Sequence, residues 1–187
     1  PQVNKIFSKY QIGENVKSDG NCGLYALTNA INDNKPKKII TLADILNLLE
    51  LSELPNYWWH DDQLSSIANH FGFDTYIYSD STKHGYIYGS GSRPPIMLYN
   101  LNKGTHWCPG TLIKNNSKSN KIPQKIINTN NYISLELIKK DIKIETNINN
   151  KIKHNKEVQI VNTIINEDRE KIYDKEGTQI KISNNLT

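Results

Sequence analysis

The stretch Ser18-Asp19-Gly20-Asn21-Cys22-Gly23-Leu24-Tyr25-Ala26-Leu27 decides how this chain is read. Asp19, Gly20 and Asn21 are turn formers suited to tight or left-handed backbone. Beyond Cys22, apolar residues recur at Leu24, Leu27, Ala30 and Ile31, the spacing of one face of a helix. The cysteine therefore stands where a turn becomes a helix. Unpaired N–H groups make a helix start partly positive, which favours thiolate over thiol. The same N–H groups can hold a developing oxyanion. Two readings fit the stretch equally: a cysteine nucleophile with its own oxyanion hole, or a small buried cysteine at a helix start.

Outward from that stretch, residues 1–17 read as an approach segment with a small helix around 4–10. Residues 32–36 are polar turn formers ending in a proline, hence a loop. Thr41-Leu42-Ala43-Asp44 resembles a capping box with Asp in place of Glu, opening a helix over 41–49. Its core face is Leu42, Ile45, Leu46 and Leu49. Asp61 is the expected N-cap of a helix that runs to His70 and stops at Gly72. Residues 73–79 alternate and are aromatic-rich, which predicts a strand. Residues 79–94 read as a polar loop with Gly85, Gly89 and Gly91, of the kind that often sits over sites. Pro94-Pro95 leads into a strand over 96–99, and Asn102-Lys103-Gly104 turns into a last core strand over 105–113. The expected class is α+β, a small, mainly antiparallel sheet flanked by helices.

From Asn115 the pattern changes to a polar run over 115–121. Strand-like alternation follows at 132–137, 142–145 and 180–182. A helical stripe at Val158, Val161, Ile164 and Ile165 lies within 157–173. The expected division is a core over 1–114 and a basic Asn/Lys/Ile-rich extension over 115–187. The extension would extend the sheet or add a contact to a partner.

The net charge of +4 falls wholly in residues 115–187. There the basic residues are interleaved with acids and few aromatics are present, so a solvated surface fits better than a nucleic-acid interface. No apolar run is long enough to span a membrane, and no secretory leader is visible. With 2 cysteines there is no disulfide framework. The expectation is a reducing, intracellular compartment. The Asn, Lys and Ile bias suggests an AT-rich genome and fits an intracellular bacterium, which would place the chain in a host cytoplasm as a secreted effector. The start at Pro1 suggests an excised piece of a larger protein. Scattered histidines without ligand spacing predict no metal, there is no phosphate-cradling glycine motif, and no cofactor is implied.

Asp19-Gly20-Asn21-Cys22 followed by a hydrophobic helix resembles the nucleophile motif of the ovarian tumour (OTU) cysteine proteases, most of which are deubiquitinases. Two more segments match in order. Trp58-Trp59-His60-Asp61-Asp62-Gln63-Leu64-Ser65-Ser66-Ile67-Ala68 with Phe73-Asp74-Thr75-Tyr76-Ile77-Tyr78 resembles that family's Trp, helix and strand unit. Pro95-Ile96-Met97-Leu98-Tyr99-Asn100 with Thr105-His106-Trp107 resembles its strand and closing His-aromatic pair. The resemblance covers residues 1–114 and implies a papain-like OTU fold.

It also implies roles. Cys22 is the nucleophile, and His106 is the general base among 5 histidines. Backbone N–H groups at Asp19 and Cys22 form the oxyanion hole, and Trp107 walls a narrow channel for the Gly-Gly end of ubiquitin. Many members carry Asp or Asn two places after the His, on the same strand face. Here that position is Cys108, a poor acceptor. Asp19 is the leading third member, ahead of Asn100, Asp61 and Asp62, and a dyad is the remaining option. Cys108 also allows a regulatory disulfide with Cys22. The implied function is thiol-dependent cleavage of isopeptide bonds at the carboxyl end of ubiquitin or polyubiquitin, or of ubiquitin-like modifiers. The alternatives are a papain-like peptidase acting on ordinary or self peptide bonds, and an inactive ubiquitin-binding module.

Overall fold

Strand β4 (Pro95–Leu101) lies at the centre of the architecture, because it is apolar on both sides: Ile96 and Leu98 point one way, Met97 and Tyr99 the other, and all four are buried. The computed structural model describes residues 4–33, 40–114 and 121–172. Around β4 run α1 (Asn4–Phe7), β1 (Tyr10–Ile12), α2 (Cys22–Asp33), α3 (Leu42–Leu48), α4 (Asp61–His70), β2 (Asp74–Ser79), β3 (His84–Tyr88), β5 (His106–Leu112), β6 (Lys125–Thr129) and α5 (Leu135–Ile172). The strands form one 6-stranded sheet in the order β1-β5-β4-β2-β3-β6. β4 is parallel to β2, and β3 is parallel to β6. The pairs β1/β5, β4/β5 and β2/β3 are antiparallel. The class is α+β as expected, with a mixed sheet flanked by helices.

Both sheet faces are covered. Ile77, Tyr88, Ile96, Leu98 and Trp107 join Leu24, Leu27, Ile31, Leu64 and Ile67 of α2 and α4 in one core. Tyr76, Tyr78, Ile87, Met97, Tyr99 and Cys108 form a second core with Phe7 of α1. The registers Tyr76↔Ile87 and Tyr76↔Met97 keep each set on its own side.

Several local expectations hold. Thr41 caps α3, its hydroxyl accepting from the Asp44 N–H at 3.2 Å while Asp44 accepts from the Thr41 N–H at 2.7 Å. Gly72 follows α4 at φ +85°. The turn before β5 holds Asn102, Lys103 and Gly104 all at positive φ.

Others are corrected. The helix expected over 4–10 is only α1, and Tyr10 opens a strand because its backbone can pair with Leu112 at the sheet edge. The N-cap of α4 is His60; Asp61 is its first helical residue and accepts the Tyr88 hydroxyl at 2.9 Å. The loop expected over 79–94 contains β3, where Tyr86, Ile87 and Tyr88 alternate between the two cores. The Asp80 carboxylate bonded to Lys83 Nζ at 2.6 Å and Lys83 at φ +58° close the hairpin from β2. The strands expected at 132–137 and 142–145 give way to α5. Ser134 starts it, its hydroxyl accepting the Leu137 N–H at 3.2 Å, and no Gly or Pro interrupts the run. Ile138 and Ile142, four residues apart, then share one buried face. The expected strand at 180–182 lies outside the described residues.

The chain divides into two compact units, Pro1–Lys143 and Ile144–Thr187. Strand β6 extends the sheet through its pairing with β3, one of the two roles expected for the residues after 115, and the first compact unit runs on to Lys143 in α5. In the second unit the described side chains are mostly exposed, Ile144, Ile148, Ile152 and Val158 among them, and Val158 is the one member of the expected stripe whose side chain is described. No helix among the described residues is long and apolar enough to cross a membrane.

Candidate active site

The turn before α2 is built by its own side chains. Asp19 Oδ1 accepts the Asn21 N–H at 2.8 Å, and the Cys22 N–H bonds the Asp19 carbonyl at 3.1 Å. The Asn21 side chain is buried, and its Oδ1 accepts the Asn56 N–H at 3.1 Å, tying the turn to the segment before α4. Leu24 and Tyr25 both donate to the Asn21 carbonyl, which starts the helix. Among the described residues the Gly23 N–H has no hydrogen-bond partner. Of the two N–H groups expected in an oxyanion hole, that of Cys22 is engaged within the turn.

Cys22 is 8% exposed at the first position of α2. The next residue is a glycine for a steric reason. A Cβ at Gly23 would stand 2.7 Å from Trp59 Cβ and 3.0 Å from its Cγ. Trp59 packs against the helix start, 3% exposed, with Tyr57 edge-on at 5.1 Å. Its carbonyl accepts the Trp107 Nε1–H at 3.0 Å. One tryptophan thus joins the neighbour of Cys22 to the neighbour of His106. Trp107 itself is 3% exposed and packed in the core, so it supports the site from behind and does not wall an open channel. The exposed tryptophan is Trp58, at 52%.

His106 begins β5 and is 6% exposed. Its Nε2 lies 2.9 Å from Asn15 Oδ1, while Nδ1 is buried with no partner among the described residues. Cys108, two residues on and on the same strand face, donates its S–H to the same oxygen at 3.4 Å. Burial pushes the Cys108 thiol pKa up; the Val16 backbone partly offsets this, and the nearby Cys22 adds to it. Cys108 is therefore held as a thiol, able to donate. Cys22 lies close enough to act on it electrostatically, and both cysteines are free.

Asn15 is the residue that sequence reasoning missed. Strand β1 pairs with β5 only from Gly110 to Leu112. The Gly13 N–H then bonds the Pro109 carbonyl at 2.8 Å, and the chain continues past Cys108 toward His106. No local pattern marks Asn15; its partner is 91 positions away.

Asp19, expected as the third member, points elsewhere. Its Oδ2 is 3.2 Å from Lys17 Nζ and 3.5 Å from the Tyr25 hydroxyl. Desolvation pushes its pKa up, but the Asn21 N–H and the Lys17 ammonium outweigh that and hold it below the usual carboxylate value. Asp61 is occupied by Tyr88, and Asn100 stands opposite Trp107 on β4. His60 caps α4, His70 ends it and His84 opens β3, while His154 lies in the second unit; of the histidines it is His106 that pairs with Asn15. Among the described residues no cluster of His, Cys, Asp and Glu is arranged to hold a metal.

Chemically, the arrangement offers a thiol at a helix start, an imidazole with one nitrogen occupied and one open, and a backbone donor at Gly23. No protein-family model, no curated protein and no solved structure matches this chain.

Proposed function

We propose that this chain is a thiol-dependent deubiquitinase that cleaves isopeptide bonds at the carboxyl end of ubiquitin. One observation carries the catalytic part of the reading. The His106 ring has Nε2 occupied by Asn15 and Nδ1 buried and unpartnered, so a single nitrogen is left to exchange a proton with the Cys22 thiol. The resemblance of the Asp19-Gly20-Asn21-Cys22 stretch to the OTU proteases supports ubiquitin as the substrate.

In this mechanism His106 Nδ1 takes the Cys22 proton and the thiolate attacks the isopeptide carbonyl. The resulting oxyanion is held by the Gly23 N–H, and by the Cys22 N–H once it exchanges the Asp19 carbonyl for the stronger charged acceptor. The imidazolium then protonates the departing lysine amine, leaving a thioester at Cys22. His106 next removes a proton from water, and the hydroxide equivalent expels the Cys22 thiolate. Trp59 keeps the two halves of the machinery in register through Gly23 and Trp107.

A ubiquitin carrying a carboxyl-terminal electrophile tests nucleophile and substrate together. Labelling of Cys22, lost in Cys22→Ala and strongly reduced in His106→Ala but retained in Cys108→Ala, is the expected result. Labelling at Cys108, or full labelling of His106→Ala at neutral pH, would refute the assignment. No labelling by ubiquitin or its relatives, with Cys22 still reactive toward small electrophiles, would refute the substrate class.

A further inference from the structure

We infer that Asn15 is the positioning residue for His106, a role that rests on the thiol-protease reading but not on ubiquitin as the substrate. The position two residues after His106 is Cys108, which cannot serve as an acceptor for the ring. The structure fills that gap from a different part of the chain. Asn15 Oδ1 lies 2.9 Å from His106 Nε2 and also accepts the Cys108 S–H at 3.4 Å. An amide oxygen has two lone pairs, and both are used here. Cys108 is thus the second anchor that aims the Asn15 oxygen, and its raised pKa keeps it a donor.

The consequence concerns which nitrogen carries the proton. An acceptor at Nε2 requires that nitrogen to be the N–H, which leaves Nδ1 as the lone pair in the neutral ring. Nδ1 is the buried nitrogen without a partner. When it takes the Cys22 proton, the ring becomes a cation whose Nε2–H bond to Asn15 strengthens. Asn15 therefore orients the ring, selects its tautomer and favours the thiolate–imidazolium pair, all without adding a charge. The titratable groups around the pair are Cys22, Cys108 and His106. Asp19 is committed to Lys17 and the turn, and Glu14 and Lys17 flank Asn15 in the chain.

The test reads Cys22 directly. Full-length protein is alkylated with iodoacetamide between pH 5 and pH 9, and modification at Cys22 and Cys108 is separated by site-resolved mass spectrometry. Asn15→Ala should slow Cys22 alkylation near pH 6 by about 10- to 100-fold, the loss for removing an acceptor from a charged donor. Asn15→Asp should restore it and move the loss of the imidazolium to higher pH, because a carboxylate favours the charged ring. An unchanged profile in a folded Asn15→Ala variant overturns the proposal. If that variant does not fold, nitrogen-15 spectra of the wild-type histidines decide, with His106 assigned by comparison with His106→Gln. Neutral His106 protonated at Nε2 supports the role, and protonation at Nδ1 overturns it. Because iodoacetamide carries no ubiquitin, an Asn15-dependent profile without ubiquitin labelling would refute the substrate class alone.

Discussion

Gly23→Ala is the substitution on which helix propensity and packing disagree in sign. Alanine in place of a helical glycine gains about 0.5–1 kcal/mol from propensity and reduced unfolded-state entropy. A Cβ at position 23, however, would stand 2.7 Å from Trp59 Cβ, 3.0 Å from Cγ and 3.2 Å from Cδ1. Those atoms are the root of a tryptophan side chain, which cannot swing aside while its backbone stays in place. The backbone is itself held, because the Trp59 carbonyl accepts the Trp107 indole. Overpacking of a closed core costs about 1–3 kcal/mol. The packing loss matches or exceeds the propensity gain, and the net is a destabilisation of up to about 2.5 kcal/mol.

The assay is urea unfolding followed by tryptophan fluorescence and, independently, by far-ultraviolet circular dichroism. With a denaturant slope of about 2 kcal/mol/M, the midpoint should fall by up to about 1.3 M. Trp59 must also shift away from α2, so the emission of the native state should change and reactivity at Cys22 should fall more than stability does. A midpoint that rises, with native emission unchanged, would refute the packing account of Gly23 and with it the linkage from Cys22 to His106 through Trp59.

Asp74 is 2% exposed and accepts the Gly91 N–H at 2.8 Å and the Arg93 N–H at 3.4 Å, so Asp74→Asn should cost about 1–3 kcal/mol in urea unfolding; a change below a few tenths would remove its role in fastening the β3–β4 connection. The hydrogen bond to Lys139 at 2.7 Å holds the Glu50 carboxyl below its usual pKa. This contribution to stability is present above the ordinary glutamate pKa and lost as pH falls through the depressed folded value. Lys139→Met should return Glu50 toward ordinary titration by carbon-13 NMR, and an unmoved titration would place the depression elsewhere. Ile138→Ala should cost about 2–5 kcal/mol, since the side chain is fully buried, whereas Ile152→Ala at 48% exposure should change stability by less than about 0.5 kcal/mol. Equal effects would contradict the contrast within α5 between its packed start and the exposed residues described as far as Ile160.

Elements whose signal is local were legible in the sequence. The Thr41–Asp44 cap, the Gly72 stop, the Asn102-Lys103-Gly104 turn and the start of α2 at Cys22 are each decided within a few residues. What escaped were elements decided by distant neighbours. Tyr86-Ile87-Tyr88 reads as a strand only when Tyr76 and Ile77 of β2 and Ile126 and Ile127 of β6 flank it, and the glycines nearby gave it the look of a loop. Tyr132-Ile133-Ser134-Leu135-Glu136-Leu137 and Ile142-Lys143-Ile144-Glu145 alternate apolar with polar residues closely enough to imitate strands. The arbiter is the Ser134 cap together with the burial of Ile138 and Ile142 on one helical face. The Trp59 contact was likewise invisible, although a glycine directly after the candidate nucleophile was a visible mark of close approach.

The candidate site shows the same separation, and sheet register explains it. Cys22 and His106 announce themselves, one by its turn and the other by its strand after a hairpin. The partner of His106 does not, because nothing in Gly13-Glu14-Asn15-Val16 predicts where that segment lies. Its position follows from a pairing of three residues, Tyr10↔Leu112, Gln11↔Thr111 and Ile12↔Gly110. Strand side chains alternate with period two, so a slip of one residue would turn every side chain of that segment to the opposite face. Asn15 would then be carried away from His106 and Cys108, and the ring would lose its acceptor. A short edge strand that looks dispensable in the sequence therefore sets which acceptor the His106 ring meets. Tyr10, 3% exposed in the second core, opposes the slip because it would have to leave that core, and the Gly13 N–H bond to the Pro109 carbonyl holds the same register.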